Sequence, residues 1–288
     1  MDNTTDYVTS TDGTTIGYRK LGHGPGVVLL HGSMSTGYNH IQLAEELADT
    51  FTVYLPDRRG RSLSRPYSHD YTVREDIDDL DALLTTTGAH NVFGASVGGI
   101  IMLRAALTLP TIRKAAVYEP PFFSDSSVPT AFTTRFDKEM SEGKVAAALV
   151  TAMKGAQLGP PIFNILPRRL VEPMTRRMMS YEEKRRPGDY ATFRELAPTL
   201  HHDAQLIIEM SEALDSVRAV RADVLLLGGS KSPRYLTAGL DALENALPHV
   251  KRVEFPGLGH AASWNTDRGG KPEPVAGELR RFFALAPS

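Results

Sequence analysis

The chain has 288 residues, 41% hydrophobic and 23% charged, with 32 basic and 34 acidic side chains and a formal charge of −2. That balance excludes the strong positive field of a nucleic-acid or anionic-membrane binder and predicts a soluble globular protein. There is no cysteine, which removes disulfides, thiolate catalysis and cysteine-ligated zinc. The opening "MDNTTDYVTSTDG" lacks the basic-then-apolar character of a signal peptide. No apolar run approaches the ~20 residues of a membrane span, so a cytoplasmic location is expected.

Through the first 120 residues, short apolar strands alternate with helix-like segments. "GVVLLHG" (26–32) reads as a buried strand, "IQLAEELADT" (41–50) as an amphipathic helix and "FTVYLPD" (51–57) as the next strand. "TVREDIDDLDALLTTTG" (72–88) predicts a helix with Ile77, Leu80, Leu83 and Leu84 on one stripe, stopped by Gly88. "NVFGAS" is a strand, "IIMLRAALTLP" a helix closed by Pro110, and "KAAVYEPP" a strand again. Strands apolar on both faces predict a parallel sheet covered on both sides. From about 123 to 221 there are helical segments and Pro/Gly breaks but no buried strand. The rhythm returns with "ADVLLLGG" (222–229), "AGLDALENALP", "KRVEFPG" and a terminal helix, "PVAGELRRFFAL". The expected organisation is an α/β core of residues 1–122 and 222–288, interrupted by a helical cap over 123–221.

Three stretches carry chemistry. Gly94-Ala95-Ser96-Val97-Gly98 matches G-x-S-x-G where a strand ends and a helix begins. A serine nucleophile on such a turn takes a strained backbone and needs small neighbours. The turn aims the Val97 N–H, with the helix's positive end behind it, at an oxyanion formed on attack. "LLHGSM" (29–34) follows the first long buried strand and leaves unpaired amides, with Ser33 N–H or Met34 N–H as a second donor. "FPGLGH" (255–260) puts His260 on a Gly-rich loop after a late strand, where a neutral imidazole serves as the base.

With "HGSM", "PDRRGRSLS", "GASVGG" and "PGLGH" in this order, the chain resembles the α/β-hydrolase fold superfamily over roughly residues 15–122 and 222–285. The resemblance implies a mostly parallel sheet, an inserted lid, and Asp57, Arg58 and Gly60 as scaffold. It also implies a carboxylate to orient the histidine. The position usual for that acid, after "VLLLGG", holds "SKSPRY" here, and the next acid is Asp241. Some relatives carry the acid one strand earlier, where this chain has Glu119 in "AVYEPP"; Ser96, Glu119 and His260 then fall in the family order. Asp125 is the reserve.

Relatives that open epoxides or displace halides carry Asp at the nucleophile position, so Ser96 points to acyl transfer. The expected activity is cofactor-free hydrolysis of a small-to-medium apolar carboxylic ester or lactone through an acyl-enzyme. The alternatives are a C–C bond hydrolase or perhydrolase using the same serine, or a non-catalytic ligand-binding protein of this fold. No metal is expected, because adjacent His201, His202 and Asp203 diverge by ~100° on a helix. Six of the nine methionines fall in the insertion, which suits either an adaptable apolar roof or the packing of its helices.

Overall fold

The computed structural model describes residues 3–68, 71–123, 127–157, 165–185 and 189–285. Its strands are β1 (Thr4–Thr9), β2 (Thr15–Gly22), β3 (Gly26–Leu30), β4 (Thr52–Pro56), β5 (Asn91–Ala95), β6 (Lys114–Tyr118), β7 (Asp223–Gly229) and β8 (Val250–Phe255). They form one sheet in the order β1-β2-β4-β3-β5-β6-β7-β8. β2 runs antiparallel to both β1 and β4, and every other neighbouring pair is parallel.

Among the described residues the α-helices longer than one turn are α1 (Ile41–Leu47), α2 (Val73–Thr87), α3 (Val97–Thr108), α4 (Ser127–Ser141), α5 (Val145–Gly155), α6 (Arg168–Arg185), α7 (Leu200–Glu212), α8 (Arg234–Ala246) and α9 (Pro272–Ala284). Side chains of the central strands alternate between two cores, as a period of two dictates. Val28, Val92, Val117 and Leu226 pack with α2, α3 and α8, while Val27, Phe93, Tyr118 and Leu227 pack with α1 and α9. This two-sided burial is what made these strands readable as apolar runs.

α2 illustrates how local sequence sets boundaries. Thr72 and Glu75 form a reciprocal capping box at its start, and Gly88, at φ 66°, ends it in the left-handed region. Between β6 and β7 the described residues are helical, with no strand. Those two strands nevertheless pair directly, Tyr118 opposite Leu227. α7 packs on α3 and α4, and a smaller apolar cluster of Ala146, Leu149, Met179 and Ala197 joins the inserted helices.

Two elements lay outside the sequence expectation. β1 is almost wholly exposed and carries no apolar run. β2 holds Arg19, buried because it donates to Asp57 at 3.1 Å, a partner 38 residues away. The methionines of the insertion also divide. Met179 and Met210 are packed, whereas Met174 and Met178 face outward. Among the described residues no helix is long and apolar enough to cross a membrane.

Candidate active site

The carboxyl ends of the parallel strands lie on one edge of the sheet, where open α/β sheets place ligand sites. Ser96 follows β5 and opens α3, with φ 52° and ψ −123°. Its amide donates to Tyr118 O at 2.8 Å, and its carbonyl accepts from Gly99 N–H at 2.8 Å. The turn needs glycine two residues before and two residues after Ser96. A Cβ on Gly94 would lie 2.5 Å from Gly98 O, and one on Gly98 would lie 2.5 Å from Leu30 O and 2.6 Å from His31 O. Gly98 thus lets the start of α3 press against the end of β3.

Glu119 is the first residue after β6, and it too has positive φ, 44°. It is 1% exposed. One oxygen, Oε1, accepts from Gly229 N–H at 2.7 Å, and Oε2 accepts from His260 Nδ1–H at 2.8 Å. The two bonds fix both the carboxylate and the ring tautomer, leaving Nε2 as the basic nitrogen. The end of β7, where the family usually carries its acid, is occupied differently. Gly228 and Gly229 bring bare backbone against Glu119, and that backbone donates to it. The His260 loop is held in turn by Tyr118, whose hydroxyl donates to Gly259 O at 2.8 Å.

The loop after β3 supplies the facing wall. His31 is fully buried and accepts on Nε2 from Arg58 N–H at 3.0 Å, while its Nδ1–H donates to Gly32 O at 2.9 Å. Burial first, then the Arg61 and Arg58 charges, drive its pKa far below the ordinary histidine value, so it is a neutral strut. Gly32 abuts Ser96: a Cβ there would lie 2.8 Å from Ser96 Cβ. Met34 has φ 52°. Among the described residues, no acceptor engages the amides of Ser33, Met34 or Val97. Of the five non-glycine residues with positive φ among the described residues, three are Met34, Ser96 and Glu119, so backbone strain is concentrated here.

Ser96 Oγ and His260 Nε2 make no hydrogen bond to each other or to any other described residue. The structure therefore brings Glu119 and His260 into contact and sets Ser96 against Gly32, with the last link unmade. Asp125 lies outside the described residues. No three His, Asp or Glu side chains gather as metal ligands among the described residues.

The sequence reading weighed Asp203 only as part of a rejected metal cluster with His201 and His202 and missed its ion pairs. It is 1% exposed on α7 and accepts from Arg58 Nη1 at 3.0 Å and from Arg61 Nη2 at 2.8 Å. His201 beside it turns to Asp137 instead, and the His202 ring packs at a tilt against Tyr67. Tyr235 was also missed: its hydroxyl donates to Ala156 O at the end of α5, and its ring stacks on Phe123.

Comparison with known proteins gives a consistent picture. The chain is 27% identical over 272 residues to a pimeloyl-[acyl-carrier protein] methyl ester esterase of Xanthomonas axonopodis pv. citri, covering 93% of this chain and 98% of that protein. An alpha/beta hydrolase from Sphaerobacter thermophilus superposes with a TM-score of 0.78 at 29% identity, covering 97% of this chain and all of the other. A thermophilic esterase from Thermogutta terrifontis shares the fold at 18% identity, with a TM-score of 0.71 and coverage of 97% and 98%. The alpha/beta hydrolase family model matches residues 27–278, and the chain belongs to that family.

Proposed function

We propose that this protein is a serine hydrolase that cleaves a small-to-medium apolar carboxylic ester or lactone through an acyl-enzyme, with the helices between β6 and β7 as its cap. The observation that carries the reading is the 2.8 Å bond from His260 Nδ1–H to a buried Glu119, one strand over from a serine held at φ 52°. The described relatives include esterases, which favours ester hydrolysis over the other acyl chemistries of this fold.

Ser96 Oγ attacks the carbonyl carbon as its proton passes to His260 Nε2, and Glu119 stabilises the imidazolium without taking the proton. Val97 N–H and the Ser33 or Met34 N–H receive the oxyanion. The tetrahedral intermediate then collapses, and His260 returns the proton to the departing alkoxide. A water, deprotonated by the same nitrogen, attacks the acyl-enzyme and releases the acid. Substrate binding closes the gap between Ser96 and His260, as catalytic hydrogen bonds tighten in the Michaelis complex.

The test is turnover of a panel of p-nitrophenyl esters and lactones by the wild type, Ser96→Ala and Glu119→Gln. Loss in both variants is expected. Loss in Ser96→Ala alone would reassign the acid, and an inert wild type that also resists a fluorophosphonate would favour the ligand-binding alternative.

A further inference from the structure

The hydrolase reading leaves unexplained why the inserted segment sends a carboxylate into the core. Asp203 sits in the first turn of α7, yet its partners are Arg58 and Arg61, both buried, in the loop after β4. Arg58 also donates to Asp76 from Nε at 3.3 Å, and Asp76 accepts from Tyr71 OH. Two arginines thus face two aspartates, one from the core and one from the insertion. A buried ion cluster is a poor source of stability, because desolvation offsets the attraction and apolar side chains of equal volume do as well. What it does supply is register, since only one placement of α7 satisfies both guanidinium groups.

That register reaches the turn at Gly32–Met34 by two routes. The backbone amide of Arg58 donates to His31 Nε2, and His31 Nδ1–H donates to Gly32 O. Independently, the Met34 side chain packs against the cluster of Ala146, Leu149, Met179 and Ala197 on the inserted helices. The carboxyl of Asp203, which burial alone would push up, is brought below its ordinary range by Arg61, Arg58 and the Ser33 hydroxyl, so it stays charged in place.

We propose that Asp203 is a positioning residue: by seating α7 on Arg58 and Arg61, it holds the Gly32–Met34 turn where its amides meet the oxyanion, so a seated cap completes the site. The proposal rests on the hydrolase reading, and its sign separates it from a simple field effect. Removing the Asp203 charge leaves Arg61 buried without its carboxylate, an added positive field that by electrostatics alone would speed attack. Loss of position slows it.

The experiment measures the second-order rate of fluorophosphonate labelling of Ser96, which needs the oxyanion donors but no knowledge of the natural substrate. Asp203→Asn is compared with wild type well below its melting temperature, with folding checked by near-ultraviolet circular dichroism. Ser33→Ala is the second variant, because it keeps the backbone N–H and every ion pair should Asp203→Asn fail to fold. Labelling is expected to slow about 10- to 100-fold in Asp203→Asn, less than the roughly 10²–10³-fold cost of deleting a donor outright. A smaller loss is expected in Ser33→Ala, and the double variant should be no slower than Asp203→Asn. A trifluoromethyl ketone inhibitor should weaken in step, while inhibition by butyrate, the acid released from p-nitrophenyl butyrate, stays within twofold. Unchanged or faster labelling in a folded Asp203→Asn, or in Ser33→Ala if the former does not fold, overturns the proposal and leaves the hydrolase reading intact. A wild type that is not labelled at Ser96 overturns both.

Discussion

At the scale of single residues, the site is recognisable by where the backbone is strained. Ser96 and Glu119 each occupy the left-handed half of conformational space, at φ 52° and 44°, although neither is glycine. Such a conformation costs about 1–3 kcal/mol and persists only where the surroundings impose it. Ser96→Gly should therefore raise stability by about 1 kcal/mol while abolishing turnover, read as a higher urea midpoint with no ester hydrolysis. A less stable Ser96→Gly would mean the turn is not strained. Glu119→Gln tests the tautomer. Its amide would accept from Gly229 N–H and offer N–H to His260 Nδ1, moving the ring proton to the nitrogen meant to act as base. The expected effect is a fall in kcat of roughly 10³–10⁴-fold with KM little changed. A variant that keeps a tenth of wild-type kcat would exclude this role.

At the scale of elements, the close approach of α3 to β3 is what sets the serine beside the Gly32 turn. Gly98→Ala would drive a methyl group into Leu30 O and His31 O, atoms of backbone that cannot swing aside. It should destabilise by about 1–3 kcal/mol and cut activity more than stability, measured by denaturation and by kcat on the same sample. Retained activity would show that the Gly32 turn tolerates displacement. The elements legible in the sequence were those whose environment is local or two-sided. β3, β5, β6 and β7 are apolar on both faces, and α2 carries its own caps. Ser96 and Glu119 could be singled out because each follows such a strand, and His260 because it stands on the Gly-rich turn after β8. β1 and β2 were not legible, since one is exposed and the other buries an arginine whose partner lies far along the chain. Asp203 was hidden for the same reason: its guanidinium partners stand 142 and 145 residues away, and its neighbours His201 and His202 suggested a metal lure.

At the scale of the whole molecule, buried ionisable groups make stability depend on pH. Burial lowers His40 to about 3 and holds His31 far below its ordinary value. In the unfolded chain both titrate near 6.5. Below that pH the unfolded state takes up protons that the folded state refuses, so stability is complete above about 6.5 and falls on acidification. Each histidine contributes a slope of about 1.4 kcal/mol per pH unit until its folded pKa is reached. The urea midpoint should thus decline steadily from pH 6.5 to 5, and a flat profile would mean that these rings are solvated. Asp203 adds little over this interval, because its paired arginines hold its carboxyl below the ordinary aspartate value.

Hydrolysis by this site requires Ser96 to form a covalent acyl intermediate. Mixing the protein with p-nitrophenyl butyrate, quenching in acid within the burst and measuring the intact mass tests this directly. The expected result is one added butyryl group, about 70 Da, mapped to the peptide containing Ser96, enriched when deacylation is slow and absent in Ser96→Ala. Turnover of the ester with no adduct under any quench, or an adduct that survives Ser96→Ala, would contradict it.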